Sequence, residues 1–562
     1  MRRVLRQGLC GVVRYFTNIS WLYQTRTWTY CLLLLLILNI IVYFNSCTIF
    51  TDPTDGKNWK HGFINVLPDH HFISFRSRSG EEVKDTLRSS VPPTVHYFWC
   101  QKGNFQFQHY LSVLSAYKLL QPSEIIFHYR SLPQRDDPAY YQYFEDLLRD
   151  LPNLFPEPLS DGRACHEDSH QSLESISDML NKQGGIVLGV NVVLSENILQ
   201  FMSKPISLNH VETNFASSGV LMMSPNALEK DTKRSVLTIP TNIQCSFNTT
   251  FLNQQLPCVI VPKEVYPHQI FHLQNDFGEL ARFVGYGQKE SLVAMPQKDL
   301  IPNIVHYVWF GDKDMTFFNQ LSLLSSLYVQ KAEKIYIHGN KEPKGTYWDE
   351  VKDLPQVKFI SREFPHSVFG NEVKVPSHAS DVVRVDVLLR YGGVYLDWDV
   401  VLVKPLSEDQ RKYETLLCVD WPLTGHYPDT FNMGMMAAKQ GATFLQFMME
   451  SFRHYVDSDW SYNAIHMPYK VYEQHPDSVH VDKHLQVICF DGYCHPTWRA
   501  GYKEELSDFG DSSPFNWKTE TNGVHWTAPD PDVFSDQETL LAATGMYADI
   551  GKYVLQQARS HN

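Results

Sequence analysis

The sequence predicts an α/β protein, with two tandem Rossmann-like domains of mostly parallel sheet behind one N-terminal transmembrane helix. Three observations carry this. Residues 28–50, WTYCLLLLLILNIIVYFNSCTIF, form a run without a charge. VPPTVHYFW at 91–99 and IPNIVHYVW at 301–309 repeat one another. Each repeat then continues in the order strand, helix, strand, which favours parallel pairing because a parallel neighbour needs a crossover.

The elements follow in chain order. Residues 1–27 carry Arg2, Arg3, Arg6, Arg14 and Arg26 and no acid, so they read as a cytosolic tail. At ~1.5 Å per residue, the apolar run 28–50 is long enough for a ~30 Å hydrocarbon core. It is also long for a cleaved signal peptide and lacks a small-residue cleavage site. A single-pass type II chain is expected, with its bulk in the lumen. Residues 51–90 lack periodicity and read as a stem. The first domain is placed at 91–284, a linker at 285–300 and the second domain at 301–562. A chain of 562 residues exceeds one compact core. Its 62 acidic and 49 basic residues give no footprint for nucleic acid.

Seven cysteines lie beyond the apolar run: Cys100, Cys165, Cys245, Cys258, Cys418, Cys489 and Cys494. An oxidising lumen favours pairing, and an odd number leaves one over. Cys489, Cys494 and His495 match no standard zinc spacing and are read as structural. Asn248-Thr249-Thr250 is a glycosylation acceptor.

The repeat holds register beyond its first strand. YLSVLSAYKLLQPSEIIFHY at 110–129 falls on QLSLLSSLYVQKAEKIYIHG at 320–339 without a gap. Further on, SHQSLESISDMLNKQGGIVLGVNVVL at 169–194 aligns with SHASDVVRVDVLLRYGGVYLDWDVVL at 377–402. The glycine pairs, the histidines His170 and His378 and the apolar skeleton coincide. Four charges do not: Asp381, Arg384, Asp397 and Asp399 face Leu173, Ile176, Gly189 and Asn191. The same skeleton occurs with and without them, so their role is chemical. His306 and His378 recur as His96 and His170 and are read as scaffold.

Residues 378–391 read as a helix with Val382, Val385 and Leu389 on an apolar stripe. Asp381 and Arg384, three apart, share another face. Gly392-Gly393 ends that helix. VYLDWDVVLV is expected to run on as one strand, with Asp397 and Asp399 on one side and Trp398 on the other. Two neighbouring carboxylates repel unless a cation sits between them. Oxygen ligands suit Mn²⁺ or Mg²⁺ and leave positions open for a diphosphate.

IPNIVHYVWFG, SDVVR and GGVYLDWD, in this order, resemble the Asp-x-Asp sugar transferases of the GT-A fold. The nearest group is glycosyltransferase family 32, with the fungal initiating mannosyltransferases. Vertebrate α-1,4-galactosyl- and N-acetylglucosaminyltransferases and the clostridial glucosylating toxins are related. The resemblance covers 301–404 and weakens through 405–562. It implies that Trp309 stacks on the nucleotide base and that Asp381 and Arg384 bind donor-sugar hydroxyls. It implies that Asp397 contacts ribose or sugar and the metal, and that Asp399 binds the metal directly. TFNMGMMAAK at 430–439 resembles the acceptor-side segment, with Asn432 as its candidate. NGVHWTAP at 522–529 resembles the late His-Trp element, with His525 as a metal ligand and Trp526 lining the donor pocket.

The implied activity is transfer of a hexose or N-acetylhexosamine, generally with retention, from a nucleotide sugar to a glycan, glycolipid or glycoprotein. UDP is favoured over GDP, and a Golgi membrane location is expected. The first domain is expected to fold without binding a metal-diphosphate. A homo-oligomer and a partner transferase are both left open. Two other readings compete. One is a non-catalytic scaffold or chaperone of another transferase, which the intact charges of the second copy count against. The other is a glycosidase, but a retaining acid pair must flank a bond at ~5–5.5 Å, which two neighbours on one strand do not easily do.

Overall fold

The structure is a computed structural model. It describes residues 94–560 apart from 136–139, 161, 167–168, 196–219, 224–235, 239–258, 261–263, 422–426, 500–506, 509–514 and 529–533. The expected tail, membrane run and stem lie outside the described residues, as do Asn248, Cys245 and Cys258. Among the described residues no helix is long and apolar enough to cross a membrane.

The first half builds strands β1 (Thr94–Trp99), β2 (Glu124–Tyr129), β3 (Leu154–Pro158), β4 (Gly185–Leu188), β5 (Val220–Met223) and β6 (Val236–Thr238). Helices α1 (Phe107–Leu120) and α2 (Ser169–Gln183) connect them. The second half builds β7 (Ile304–Trp309), β8 (Lys334–Gly339), β9 (Val357–Ser361), β10 (Gly393–Leu396), β11 (Val400–Leu402), β12 (Thr415–Val419), β13 (Phe431–Ala438) and β14 (His480–Val481). Its helices include α3 (Phe317–Tyr328), α4 (Pro376–Tyr391), α5 (Met467–Gln474) and α6 (Met546–Ser560). The two sheets run in the same order, β3-β2-β1-β4-β5-β6 and β9-β8-β7-β10-β13-β12-β14. The first four strands of each are parallel, and the next, β5 or β13, is antiparallel.

The residues that coincide in the repeat hold this frame. Tyr97 and Tyr307 each donate to the next helix, at Ser112 O and Ser322 O, both at 3.1 Å. The Ser112 and Ser322 hydroxyls donate to Val192 O (2.7 Å) and Val400 O (2.6 Å). The Ser115 and Ser325 hydroxyls accept from Leu194 N (3.0 Å) and Leu402 N (2.9 Å). These bonds tie the chain beyond the glycine pair to the first helix in both halves. Gly185 and Gly393 have φ of +119° and +116°, and a Cβ there meets Thr94 O at 2.9 Å or Ile304 O at 2.5 Å. Only glycine allows so close an approach of the central strands.

The histidines are scaffold too. His96 Nδ1 lies 3.1 Å from His128 Nε2, and His306 Nδ1 lies 3.0 Å from His338 Nε2. Burial holds His96, His128 and His306 down to about 4 and His338 to about 3. The folded rings therefore stay neutral where the unfolded chain, at about 6.5, takes up protons. Their contribution to stability is present above pH 6.5 and is lost as pH falls toward 4, by roughly 3 kcal/mol per ring at the acid end. Melting temperature followed from pH 7 to pH 4.5 should fall, and less steeply in a His306→Gln/His338→Gln double variant. An unchanged slope in that variant would remove the histidines from the account.

The sheets are separate, but the apolar core is not divided at 285–300. One cluster joins residues of the first half to Phe431, Tyr469 and Tyr472 of the second. Helix α5 carries the polar part of this junction. Tyr140 donates to Glu473 Oε1 (2.8 Å), Tyr286 donates to Glu473 O (2.8 Å), and His268 Nδ1 lies 2.7 Å from the Tyr469 hydroxyl.

The structure departs from the sequence reading at the Asp-x-Asp stretch. The strand expected over 394–403 breaks after Leu396. Asp397 N donates to Gly434 O (2.7 Å), and Val400 N donates back to Asp397 O (3.1 Å), closing a turn. The chain then enters a different sheet, β11-β18-β15-β16-β17, formed with β15 (Gln486–Phe490), β16 (Tyr493–His495), β17 (Ser507–Asp508) and β18 (Gly523–Ala528). Trp398, expected to point away, stacks on Tyr307 with centroids 4.3 Å apart and donates its indole N–H to Val308 O (2.8 Å). Disulfides join Cys100 to Cys165 and Cys489 to Cys494, while Cys418 is a buried free thiol.

Candidate active site and metal centre

Helix α4 sets the first wall. Pro376 sits in its first turn, where a missing N–H costs nothing, and Gly392 ends it with φ of +65°. One turn of this helix brings Arg384 Nη2 to 2.9 Å from Asp381 Oδ1. The same guanidinium reaches Asp397, with Nη2–Oδ1 at 3.1 Å and Nη1–Oδ2 at 3.3 Å. Tyr395, two residues before Asp397, donates to Asp397 Oδ1 at 2.6 Å and lies under the guanidinium at 4.5 Å. One arginine thus neutralises two acids in a buried setting, and its planar fork suits that task.

Burial pushes the Asp381 carboxyl up to about 6, with Arg384 opposing and Asp397 adding to the rise. Burial also raises Asp397, against Arg384 and with the help of Asp399.

Strand β18 sets the opposite wall. Val400 pairs with His525, and Trp526 N donates to Asp399 O (2.9 Å), so backbone pairing fixes His525 beside Asp399. Their Nε2 and Oδ1 lie 3.2 Å apart. Burial opposes charge on His525, but Asp399, with Asp397 and Asp420 behind it, outweighs this and raises its pKa. Gly434 on β13 makes room: a Cβ there would lie 2.2 Å from His525 Cε1.

Ligand atoms of Asp397, Asp399 and His525 lie within 4.8 Å of one another. The residues present fit a divalent ion. Asp399 Oδ1 and His525 Nδ1 are buried without an aligned hydrogen bond, whereas the Asp397 oxygens already accept from Arg384 and Tyr395. Asp399 therefore has the carboxylate oxygen left to ligate.

Asp381, Arg384, Asp397, Asp399 and His525 are brought together; the two tryptophans are not. Trp309 is 2% exposed, edge-on to Trp398 with Lys313 Nζ 4.9 Å from its centroid, and offers no ring face to a base. Trp526 alternates with His525 on β18, so its ring falls on the other side, against Tyr547 with centroids 3.8 Å apart. Asn432 is buried in the frame. It donates to Asp420 Oδ1 (3.1 Å) and accepts from Gly434 N (2.8 Å).

Tyr395 and Asp420 were missed from sequence. Tyr395 shares the Asp397 face by the two-residue period, and in the first copy that position is Val187, so the same comparison could have found it. Asp420, buried and raised to about 6 chiefly by burial, closes β12 and had no local signal.

The first half is closed at this position. Ile176 and Val187, opposite Arg384 and Tyr395 in the repeat, pack with Phe98 and Leu180 in an apolar cluster beside Cys100.

Residues 300–417 match the family described as the glycosyltransferase sugar-binding region containing a DXD motif. Over 214 aligned residues the chain is 26% identical to Glucan organizing enzyme 1 of Cryptococcus neoformans var. grubii. The alignment covers 36% of this chain and 56% of that protein, so the chain spans about half the length of the relative it matches. Among solved structures, the glycosyltransferase GlyE of Streptococcus pneumoniae is similar at 12% identity and a TM-score of 0.29, over 45% of this chain and 60% of that one. The galactosyltransferase LgtC, solved with donor and acceptor sugar analogs, is similar at 12% identity and a TM-score of 0.25, over 46% and 95%.

Proposed function

We propose that this chain is a metal-dependent hexosyltransferase of the Golgi membrane, type II and single-pass, with residues 301–562 as its catalytic domain. It transfers a hexose or N-acetylhexosamine, with retention, from a UDP-sugar to a glycan, glycolipid or glycoprotein. The cluster of Asp397, Asp399 and His525 carries this reading. Those three residues would hold Mn²⁺, which when bound supplies Lewis-acid neutralisation of the departing nucleoside diphosphate. Arg384 keeps Asp397 paired and oriented through two hydrogen bonds, and Tyr395 fixes the same carboxylate from below. Asp381, buried on α4 and paired through Oδ1 with Arg384, is proposed to meet a donor-sugar hydroxyl. The first half serves as a non-catalytic companion domain, supported by its apolar filling around Ile176 and Val187.

The test is thermal stability of the chain with Mn²⁺ and a panel of UDP- and GDP-sugars. A ligand that binds only the folded state must raise the melting temperature. A shift that needs both Mn²⁺ and one sugar nucleotide supports the reading and names the donor. A well-folded sample that responds to none of them favours a scaffold role instead.

A further inference from the structure

Near the N-terminus of α4 lies a second feature that the donor reading does not use. Trp460 is 65% exposed, unusual for so large an apolar ring. A single exposed aromatic means little by itself, but this one is built in. Its loop is closed by Asn463, which accepts from Val456 N (3.0 Å) and donates to Val456 O (2.7 Å). Asp457 in the same loop accepts from Tyr455 OH (2.7 Å) and Lys374 N (3.3 Å), and lies 3.2 Å from His378 Nδ1. The loop is thus bolted to α4.

His378 lies against the Trp460 ring, with centroids 5.4 Å apart and planes tilted by 54°. The histidine is 3% exposed, and its Nε2 has no hydrogen-bond partner among the described residues. With Nδ1 engaged by the Asp457 carboxylate, Nε2 is the ring nitrogen left to meet a further hydrogen-bonding group. His378 stands one helical turn before Asp381 and interacts with it electrostatically, so the pair adjoins the proposed sugar site.

We propose that Trp460 and His378 form a saccharide subsite for the acceptor, an inference that rests on the transferase reading. A pyranose has an apolar C–H face and a rim of hydroxyls. The face matches an open indole, and a rim hydroxyl can hydrogen-bond to His378 Nε2 as donor or acceptor. The anchored loop holds the indole in place before binding, so little ordering is lost on contact.

The experiment is saturation-transfer NMR of the full chain with methyl glycosides of glucose, galactose, mannose and xylose. Ring-proton saturation by at least one glycoside is expected with the native chain. In Trp460→Ala binding should weaken about tenfold, and Trp460→Phe should retain most of it. Asp399→Asn should keep the saccharide signal while losing Mn²⁺–nucleotide binding, which separates the two claims. Equal saturation of native and Trp460→Ala chains, or no saturation by any glycoside in a chain that binds Mn²⁺ and nucleotide, overturns the subsite. Saturation through Trp460 without nucleotide binding overturns the transferase reading and leaves the saccharide site standing.

Discussion

Asp399→Asn should abolish transfer while leaving the fold intact. The Asp399 side chain is one-third exposed, and it interacts with His525 at 3.2 Å, with Arg384 and with the like-charged Asp397. Neutralising it removes one ion pair but also one repulsion, so stability should change by about 0.5 kcal/mol or less. Activity is different. Asp399 Oδ1 is a buried carboxylate oxygen without an aligned hydrogen bond among the described residues, and on the transferase reading its charge would hold the ion. Several kcal/mol of leaving-group stabilisation go with it, about a 10³-fold fall in rate. Release of nucleoside diphosphate from the donor, measured beside a thermal melt, separates the two effects. Normal turnover in a chain of unchanged melting temperature would rule out Asp399 as the ligand.

Arg384→Ile should do the reverse and destabilise first. Arg384 is 4% exposed and holds Asp381, Asp397 and the Ser380 hydroxyl (3.0 Å). Its removal leaves two acids in a buried site without their cation. Breaking a buried pair by removing one partner costs about 3–5 kcal/mol. The cost should return when the acids leave too. The triple variant Asp381→Leu, Arg384→Ile, Asp397→Gly writes the first half's residues, Leu173, Ile176 and Gly189, into the second. Replacing a whole buried ionic group by apolar residues is often neutral or stabilising. The triple variant should therefore melt near the native chain or above Arg384→Ile, with no activity. Denaturant unfolding of the three proteins decides it. A triple variant as unstable as Arg384→Ile would show that the first half does not model the filling of the second.

The parallel pairing of the first two strands in each half was legible from the repeat and its strand, helix, strand order, whereas the order of the remaining strands was not. Asp381, Arg384, Asp397 and Asp399 were legible for the opposite reason: they break a repeat whose skeleton survives without them. Local periodicity also placed Asp381 and Arg384 on one helix face. What it could not supply is the break after Leu396. The bond from Asp397 N to Gly434 O and the pairing of Val400 with His525 involve residues far along the chain, and they turn one expected strand into two.

The sequence by itself determined a duplicated α/β frame, an apolar N-terminal run, and one half charged where the other is not. Tertiary structure decided which residues meet. It set His525 beside Asp399 and left Trp526, its neighbour, in the core, because adjacent strand residues point to opposite faces. It buried Trp309 behind Trp398 and brought in Tyr395 and Asp420. Those outcomes depend on strand pairing and burial across the chain, where partners are chosen by shape and by the cost of leaving a charge unmet, not by distance along the sequence.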